Sequence, residues 1–364
     1  MRWLDLVIEP DPTSPYEVEG ILNPAAARAP DGTLYLFARA VGAGNFSRVV
    51  ILKVIFDDAG EPCGVERVGL ALEPEELYER RGDEAGGCED PRVSFVASIG
   101  RYVMTYTAFS PVGPRVALAV SDDLLHWQRL GLASMAPHDG IEFNGVDNKD
   151  AVTFPLAVSN PRGLLELAML HRPLFVGTQP DELRDADEAR EIDDHRESIW
   201  ISYASLTLAG LDPHQLTNFT SHHRLARPEA SWEALKIGSG TPPVLTRHGW
   251  LLVYHGVSDV VAPGASEGRL TYQAGAMFLS KEHPCQILYR TPEPLLSPRP
   301  STSAHPFHAD VVFPTGVDQR LDLNQPNRFD VYVGQNDWSI GVARLDVAES
   351  FVTAETDFAH ESGA

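Results

Sequence analysis

The segment Gly32-Thr-Leu-Tyr-Leu-Phe-Ala-Arg39 decides the fold, because its order of turn residue, apolar strand and polar end recurs along the chain. Similar copies occur at residues 100–107, 163–172, 249–255 and 328–334. A second apolar strand follows each copy, at residues 48–54, 115–120, 199–205, 272–279 and 339–345. Long apolar runs indicate strands that are covered on both faces, as in sheets stacked around an axis. The sequence therefore predicts an all-β fold, a five-bladed β-propeller.

The organisation of the chain favours one unit. A β-sandwich or two unrelated β domains would also contain such strands, but the Pro-rich segments at 30–32, 111–114 and 292–300 are too short for interdomain linkers. We therefore expect residues 1–364 to form a single catalytic domain. Helix is considered only for residues 75–81 and 180–197, and the second of these is a charge-dense insertion typical of a solvated loop.

Composition excludes several classes of partner. The formal net charge of −22 would repel nucleic acid and anionic membrane surfaces. No apolar run approaches the roughly 18 residues that span a bilayer, so a cytoplasmic location is expected. The three cysteines are widely separated, and neither a disulfide framework nor a metal site is indicated. The sequence does not specify an oligomeric state, and a homo-oligomer is compatible with it.

Candidate chemistry begins at Cys88-Glu89-Asp90-Pro91-Arg92, just before an apolar strand. A residue that precedes proline is biased towards an extended backbone, which would fix and aim Asp90. An Asx-type turn is the alternative for an isolated Asp-Pro pair. The polar ends of the recurrent strands are expected to meet at one pocket; these are Arg39, Thr107, His171, Arg172 and His255.

Two further basic residues lie in motifs that also suit surface or scaffold turns. Lys149 lies in Asp147-Asn148-Lys149-Asp150, and Lys236 lies in Lys236-Ile-Gly-Ser-Gly240, whose glycines we interpret as fixing a loop path. The cationic candidates Arg39, Lys149, Arg172, Lys236 and His255 outnumber the one well-placed carboxylate, Asp90. Arginine and lysine together are suited to holding phosphate. Because no nucleotide-binding glycine loop is present, free phosphate is the better candidate.

These motifs resemble glycoside hydrolase family 130, the β-mannoside phosphorylases and related β-mannosidases, from about Asn23 to Val342. The resemblance rests on Glu89-Asp90-Pro91-Arg92, Asn148-Lys149-Asp150-Ala151, Leu170-His171-Arg172, Lys236-Ile-Gly-Ser-Gly240 with Pro242-Pro243, and the segment from Gly249 to Gly256. It implies the five-bladed propeller and the general acid, Asp90. It implies phosphate contacts from Lys149, Arg172, Lys236, His255 and Tyr272. It implies sugar contacts from Asn23, Arg39, Asp150 and Asp337.

The expected function is an inverting phosphorylase that cleaves a β-mannoside oligosaccharide and releases α-mannose 1-phosphate. Inorganic phosphate is then a co-substrate, and no cofactor or metal is expected. An inverting β-mannosidase that uses water is the first alternative, and it needs a second carboxylate as base. Glu142, Glu89 and the acidic insertion offer candidates for that base. A non-catalytic glycan-binding propeller is the second alternative. Segments 134–146 and 175–197 exceed the usual length of the family's connections, so they leave the acceptor sugar open.

Overall fold

The computed structural model describes residues 1–81, 85–175, 194–210, 212–260, 268–299 and 310–356. Within these residues the protein is an all-β structure. The ordered helical content consists of the short α-helix α1 (Leu206–Ala209) and the 3-10 turns Leu77–Glu79, Pro213–Thr217, Ser231–Glu233 and Leu321–Leu323. The helix considered at 75–81 is thus a single 3-10 turn, α1 was not predicted, and most of the insertion at 180–197 lies outside the described residues. No helix in the described ranges is long and apolar enough to span a bilayer.

Strands occur throughout the described residues. The first half contains β1 (Arg2–Ile8), β2 (Gly20–Arg28), β3 (Leu34–Gly42), β4 (Phe46–Phe56), β5 (Pro62–Leu72), β6 (Gly86–Val96), β7 (Arg101–Ser110), β8 (Gly113–Ser121), β9 (Gln128–Leu132), β10 (Ser134–Met135), β11 (Asp147–Thr153), β12 (Val158–Ser159) and β13 (Leu165–Leu174). The second half contains β14 (Ile199–Ala204), β15 (Asn218–Ala226), β16 (Lys236–Ser239), β17 (Val244–Thr246), β18 (Gly249–Val260), β19 (Arg269–Leu279), β20 (Ile287–Arg290), β21 (Asp310–Gln319), β22 (Arg328–Gln335) and β23 (Ser339–Asp346).

The described strands form five antiparallel meanders of four main strands each. Their orders are β2-β3-β4-β5, β6-β7-β8-β9, β11-β13-β14-β15, β16-β18-β19-β20 and β21-β22-β23-β1. All five predicted hairpins are confirmed, as β3-β4, β7-β8, β13-β14, β18-β19 and β22-β23. Each hairpin occupies the middle of its meander, and a strand that the recurrence did not identify precedes it.

Neighbouring meanders pack face to face. Five buried apolar clusters lie between successive meanders; they contain, for example, Phe37 with Met104, Leu118 with Trp200, Leu170 with Trp250, Val253 with Val331, and Leu36 with Tyr332. The last of these clusters joins the fifth meander to the first. Because each sheet is covered on both faces, the strands carry continuous apolar runs, as the sequence predicted.

A buried ionic network ties the last meander to the first. Asp330 on β22 accepts hydrogen bonds from Arg320 (2.6 Å) and from Arg344 (2.7 and 3.0 Å). Arg320 also donates to the carbonyl of Gly60, and Arg344 bonds Glu61, both in the β4-β5 turn. Asp330 and Arg320 are fully buried, so each charge depends on its partner for compensation.

Substitution of Asp330 with asparagine should remove the one fully buried carboxylate that Arg320 and Arg344 share, and leave each guanidinium group with a single, more exposed carboxylate as hydrogen-bond partner, Asp322 and Glu61 respectively. The expected loss in the free energy of unfolding is about 3–5 kcal/mol, measured by denaturant titration. The control Asp346→Asn removes a surface pair with Arg328 and should cost about 1 kcal/mol or less. Equal losses in the two variants would contradict the structural role given to the network.

Candidate active site

One cavity of about 430 Å³ lies where the first strands of all five meanders meet. β2, β6, β11, β16 and β21 each contribute side chains to it. The residues that line it are Asn23, Arg39, Asp90, Lys149, Asp150, Arg172, Leu174, Glu197, Lys236, Leu270, Tyr272, Val311, Phe313 and Asp337. Asn23, Asp90 and Lys236 therefore reach one space although they are far apart in the sequence.

β-Bulges aim three of the polar side chains. The pairing register shifts around Asn23 on β2, around Asp90 on β6 and around Asp150 on β11. At these three residues φ is 49°, 48° and 55°. A positive φ is costly for most side chains, and Asn and Asp tolerate it best after glycine. A bulge redirects the side chain that it carries. In three meanders a bulge therefore orients a polar side chain towards the cavity.

The extended backbone predicted for Asp90 is wrong, because its φ of 48° lies in the left-handed region. Pro91 disfavours the right-handed helical region for the preceding residue, but the bulge sets the left-handed value instead. The Asx-turn alternative does not describe this position either, since Asp90 lies inside β6. The bulge, and not an extended chain, thus fixes the position and direction of the Asp90 side chain.

Asp90 is 5% exposed and is held by two neighbours. Asn23 donates a hydrogen bond from Nδ2 to its Oδ1 at 2.7 Å, and an Arg39 Nη1 lies 3.4 Å from the same oxygen. Burial alone would raise the pKa of Asp90. The nearby cations, Arg39 first and then Lys149, outweigh burial and hold that pKa below its ordinary value. Asp90 is therefore a carboxylate at neutral pH in the unliganded protein.

A second buried cluster surrounds Asp150, which is fully buried. Its Oδ2 accepts a hydrogen bond from Arg172 Nε at 2.5 Å, and its Oδ1 lies 3.5 Å from Arg92 Nη2. Burial would raise the pKa of Asp150, but Arg172 above all, with Arg92, holds it well below the ordinary range. Arg92 Nη1 also donates to the backbone carbonyl of Asp90 at 2.7 Å. Arg92 thus links the two aspartates, a role that the sequence did not assign.

Glycines make room for these groups. A Cβ at Gly238 would lie 2.2 Å from the Asp150 carboxylate and 2.4 Å from the ring of His255. A Cβ at Gly334 would lie 1.8 Å from Asn23 Oδ1. The segment Lys236–Ser239 is the strand β16 and not the loop that its glycines suggested. Gly238 is needed for close approach, because it pairs with His255 across the sheet.

His255 is not one of the site's cations. Burial lowers its pKa to about 3; Asp150 opposes that decrease and Arg172 adds to it. The ring is therefore neutral at pH 7. It lies 3.5 Å from an Asp150 oxygen and packs on Phe313, with ring centroids 4.4 Å apart. It lies behind the residues that line the cavity, where it can stack but contributes no positive charge.

The remaining basic residues differ in their pairing. Arg172 Nη1 contacts Glu197 Oε2, and Lys236 Nζ lies 3.9 Å from Glu197 Oε1. Lys236 also lies over the Tyr272 ring, 5.6 Å from its centroid. Within the described ranges, no carboxylate oxygen lies within 4 Å of the Lys149 ammonium. Lys149 is thus the cation best placed to accept a new anionic partner.

The expected excess of cations over a single carboxylate is wrong. The residues that line the cavity include four cations, Arg39, Lys149, Arg172 and Lys236, and four carboxylates, Asp90, Asp150, Glu197 and Asp337. Glu197 is the member that the sequence did not single out. It lies at the end of the long insertion, where no local motif marked it. The unliganded cavity is therefore close to electrically balanced.

The structure brings together nine of the ten predicted site residues as lining of one cavity, and the tenth, His255, lies directly behind them. Two of the predicted polar strand ends, Thr107 and His171, do not line the cavity. Thr107 is buried opposite Glu89. His171 is fully buried and bonds Ser202 Oγ through Nε2 at 2.7 Å. No cluster of three or more His, Cys, Asp or Glu residues suited to a metal ion occurs in the described ranges.

The chain resembles known proteins over nearly its whole length. Residues 5–353 match glycoside hydrolase family 130, described as β-1,4-mannooligosaccharide phosphorylase. A 1,2-β-oligomannan phosphorylase of Thermoanaerobacter sp. (strain X514) is 27% identical over 94% of this chain and 95% of that protein. The structure of a β-1,2-mannobiose phosphorylase from Listeria innocua superposes with a TM-score of 0.65, at 21% identity, over 93% of this chain and 94% of the other.

A further solved structure has a TM-score of 0.67 at 21% identity, over 98% of this chain and 96% of the other. Its description states that the family of mannoside phosphorylases contains glycoside hydrolases that target β-1,2 mannosidic linkages in Candida mannan. Likeness at this level of identity concerns the fold. The match over nearly the whole chain shows the family, and the protein belongs to glycoside hydrolase family 130.

Two aspartates of the cavity offer a matched test of the ionic cluster. Asp150→Asn removes the charge that compensates Arg172 and Arg92, and should lower the free energy of unfolding by about 3–5 kcal/mol near pH 7. Asp337→Asn should cost far less, because Asp337 is exposed to the cavity and has no cation within 4 Å in the described ranges. Asparagine tolerates the positive φ of both positions.

The pH dependence of that difference follows from the lowered pKa of Asp150. The stabilisation is present above the unfolded-state value of about 3.9 and is lost as the pH falls through the folded-state pKa. The gap between wild type and Asp150→Asn, measured by denaturant titration, should therefore narrow on acidification below about pH 4. A gap that widens on acidification would contradict the ion-pair account.

Proposed function

We propose that the protein is an inverting glycoside phosphorylase that cleaves a β-mannoside with inorganic phosphate and releases α-mannose 1-phosphate. One observation carries the proposal. Asp90, a buried carboxylate held on a bulge, shares a single cavity with Lys149, Arg172 and Lys236. A phosphorylase needs one carboxylic acid for the leaving oxygen and a cationic subsite for phosphate. The family and its phosphorylase relatives supply independent support.

We also propose that the five meanders are the blades of one five-bladed β-propeller, a single catalytic domain around the cavity. Three findings support closure. An apolar cluster joins the fifth meander to the first. The N-terminal strand β1 completes the fifth meander by pairing with β23. The strand β21 packs against β2. The cavity at the meeting of the first strands is then the axial binding site.

The proposed phosphate subsite consists of Lys149, Arg172, Lys236 and Tyr272, with the neutral His255 behind them. Lys149 and Lys236 act as point charges, whereas Arg172 is oriented by its bond to Asp150. The tyrosine hydroxyl is a further hydrogen-bond donor in the cavity.

The proposed sugar subsite consists of Asn23, Arg39, Asp150 and Asp337. Asn23 and Arg39 both contact Asp90, so a sugar bound to them lies beside the acid. Asp337 is exposed to the cavity at the β22-β23 turn. Asp150 is expected to act chiefly by positioning Arg172, since its carboxylate is fully buried against two guanidinium groups.

In the proposed reaction a phosphate oxygen attacks the anomeric carbon while the bond from that carbon to the glycosidic oxygen breaks. The proton of Asp90 passes to the departing oxygen, so the free acceptor sugar and α-mannose 1-phosphate are the products. Attack from the face opposite the leaving group inverts the configuration. Asp90 must therefore be protonated when the bond breaks.

Phosphate itself favours that protonation. The pKa of Asp90 is held low by Arg39 first and then by Lys149. An anion bound at Lys149 screens that lysine and places negative charge near the carboxylate, and both effects raise the pKa. Binding of the co-substrate would thus prepare the acid for its role.

Turnover of β-mannosides should require inorganic phosphate. We expect release of α-mannose 1-phosphate from β-1,2-mannobiose in phosphate buffer. In phosphate-free buffer turnover should fall by roughly 10²-fold or more, because the positioned nucleophile is absent. Chromatography of sugar phosphate and free sugar measures both. β-1,4-Mannobiose serves as the comparison, because the family description names the β-1,4 linkage and the phosphorylase named above acts on a β-1,2 oligomannan.

The two alternatives give different products in the same assay. Equal release of free mannose with and without phosphate would identify a β-mannosidase that uses water. Binding of the glycan in calorimetry without either product would identify a binding module. Either result would contradict the phosphorylase.

Replacement of Asp90 with asparagine should reduce turnover by roughly 10²–10⁴-fold, the range for loss of a general acid. The fold should persist, because asparagine tolerates the left-handed backbone and its carbonyl oxygen can accept the bond from Asn23. Asp122→Asn, at a surface pair with Arg101, is the matched control and should retain full activity. Retained turnover in Asp90→Asn, with an unchanged melting temperature, would remove Asp90 from the mechanism.

We expect phosphate to be the only co-substrate, with no cofactor or metal. A cytoplasmic location and the lack of nucleic-acid or membrane partners are predicted from the net charge and composition.

A further inference from the structure

Glu197 lies against two cations of the cavity, Arg172 and Lys236. Its Oε2 contacts Arg172 Nη1, and its Oε1 lies 3.9 Å from Lys236 Nζ. Its side chain is 20% exposed and lines the cavity. A carboxylate that touches one cation and lies close to the second fills the position that an incoming oxyanion would need.

The backbone fixes where this carboxylate starts. The Glu197 carbonyl accepts a hydrogen bond from Ile237 N at 3.0 Å, next to Lys236 on β16. Glu197 lies two residues before β14 (Ile199–Ala204). Its main chain is thus anchored to the fourth meander, while the flexible side chain determines whether the carboxylate stays on Arg172.

Withdrawal of the Glu197 carboxylate would change the net charge of the cavity. With Glu197 in place, four cations face four carboxylates. With its carboxylate withdrawn, four cations face three carboxylates, so a site for an anion appears. A phosphate anion bound beside Glu197 without that withdrawal would face a like charge in a partly buried space, which is unfavourable.

We propose that Glu197 is an internal competitor for the phosphate subsite, and that phosphate binds only when this carboxylate leaves Arg172 and Lys236. The inference rests on the proposed function, because it concerns the co-substrate of that reaction. Glu197 compensates the cations in the empty site and weakens the apparent affinity for phosphate. It acts through Arg172 and Lys236 and takes no part in bond breaking.

The test compares wild type with Glu197→Gln and Glu197→Ala. Glutamine keeps the shape and removes the charge, whereas alanine also removes the hydrogen-bonding group. Both keep the main-chain bond to Ile237. Inorganic phosphate is titrated into each protein by calorimetry without sugar, and the KM for phosphate and kcat are measured with a saturating β-mannoside. Glu282→Gln, at an exposed glutamate outside the cavity, is the matched control.

We expect both variants to bind phosphate roughly tenfold more tightly, within the usual 5–150-fold range of coupling between two sites. The KM for phosphate should fall by a similar factor. The KM for the mannoside should change little, and the control should match wild type. Melting temperatures report whether each variant is folded.

The outcomes separate this inference from the proposed function. Phosphate-dependent wild-type turnover with unchanged or weaker phosphate binding in the variants would overturn the inference alone. Phosphate-independent wild-type turnover that is lost in Glu197→Gln would indicate that the carboxylate activates water, and would overturn both. Tighter phosphate binding in Glu197→Gln supports the inference even if the wild-type protein binds phosphate too weakly to detect.

Discussion

The buried carboxylate of Asp150 is the constraint on which the rest of the site depends. It pairs with Arg172 and lies close to Arg92 and His255, three groups from three other strands. Its position requires a bulge in β11, a left-handed backbone and a glycine at position 238. Because an unpaired buried charge is strongly unfavourable, these strands are held in one arrangement. Arg92 also donates a hydrogen bond to the backbone carbonyl of Asp90, which couples the position of Asp90 to that of Asp150.

Electrostatic balance explains how such a site can be stable and still bind an anion. An excess of four positive charges in a partly buried cavity would be costly in the empty protein. Carboxylates offset that excess, and the structure divides them into two kinds. Asp150 is fully buried and engaged by two arginines, whereas Glu197 is partly exposed on a side chain that can move. We interpret the Asp150 carboxylate as a permanent part of the site and the Glu197 carboxylate as one that phosphate displaces. Asp90 is affected by the same exchange, since Lys149 contributes to its low pKa.

The sequence revealed the hairpins, which carry Arg39, Arg172 and Tyr272, but not most of the first strands of the meanders, which carry other cavity residues such as Asn23 and Lys236. Hairpins such as β3-β4 show long apolar runs, whereas β11 and β16 are short and polar, so their pattern resembles turns. The motif around Asp90 led to a residue that lines the cavity, yet its backbone was predicted extended, because the rule for residues before proline does not include a bulge. The charge of His255 and the place of Glu197 depend on three-dimensional burial and packing. Neither has a local signal in the sequence.

Phosphorolysis requires an oxyanion subsite, which basic residues from separate meanders would form in the same cavity as Asp90. The most direct measurement is a crystal structure with inorganic phosphate bound. We expect an anion in contact with Lys149, Arg172 and Lys236, with the Glu197 carboxylate displaced from Arg172. Phosphate bound elsewhere, or an empty cavity in which Glu197 keeps its contact with Arg172 at saturating phosphate, would contradict this expectation.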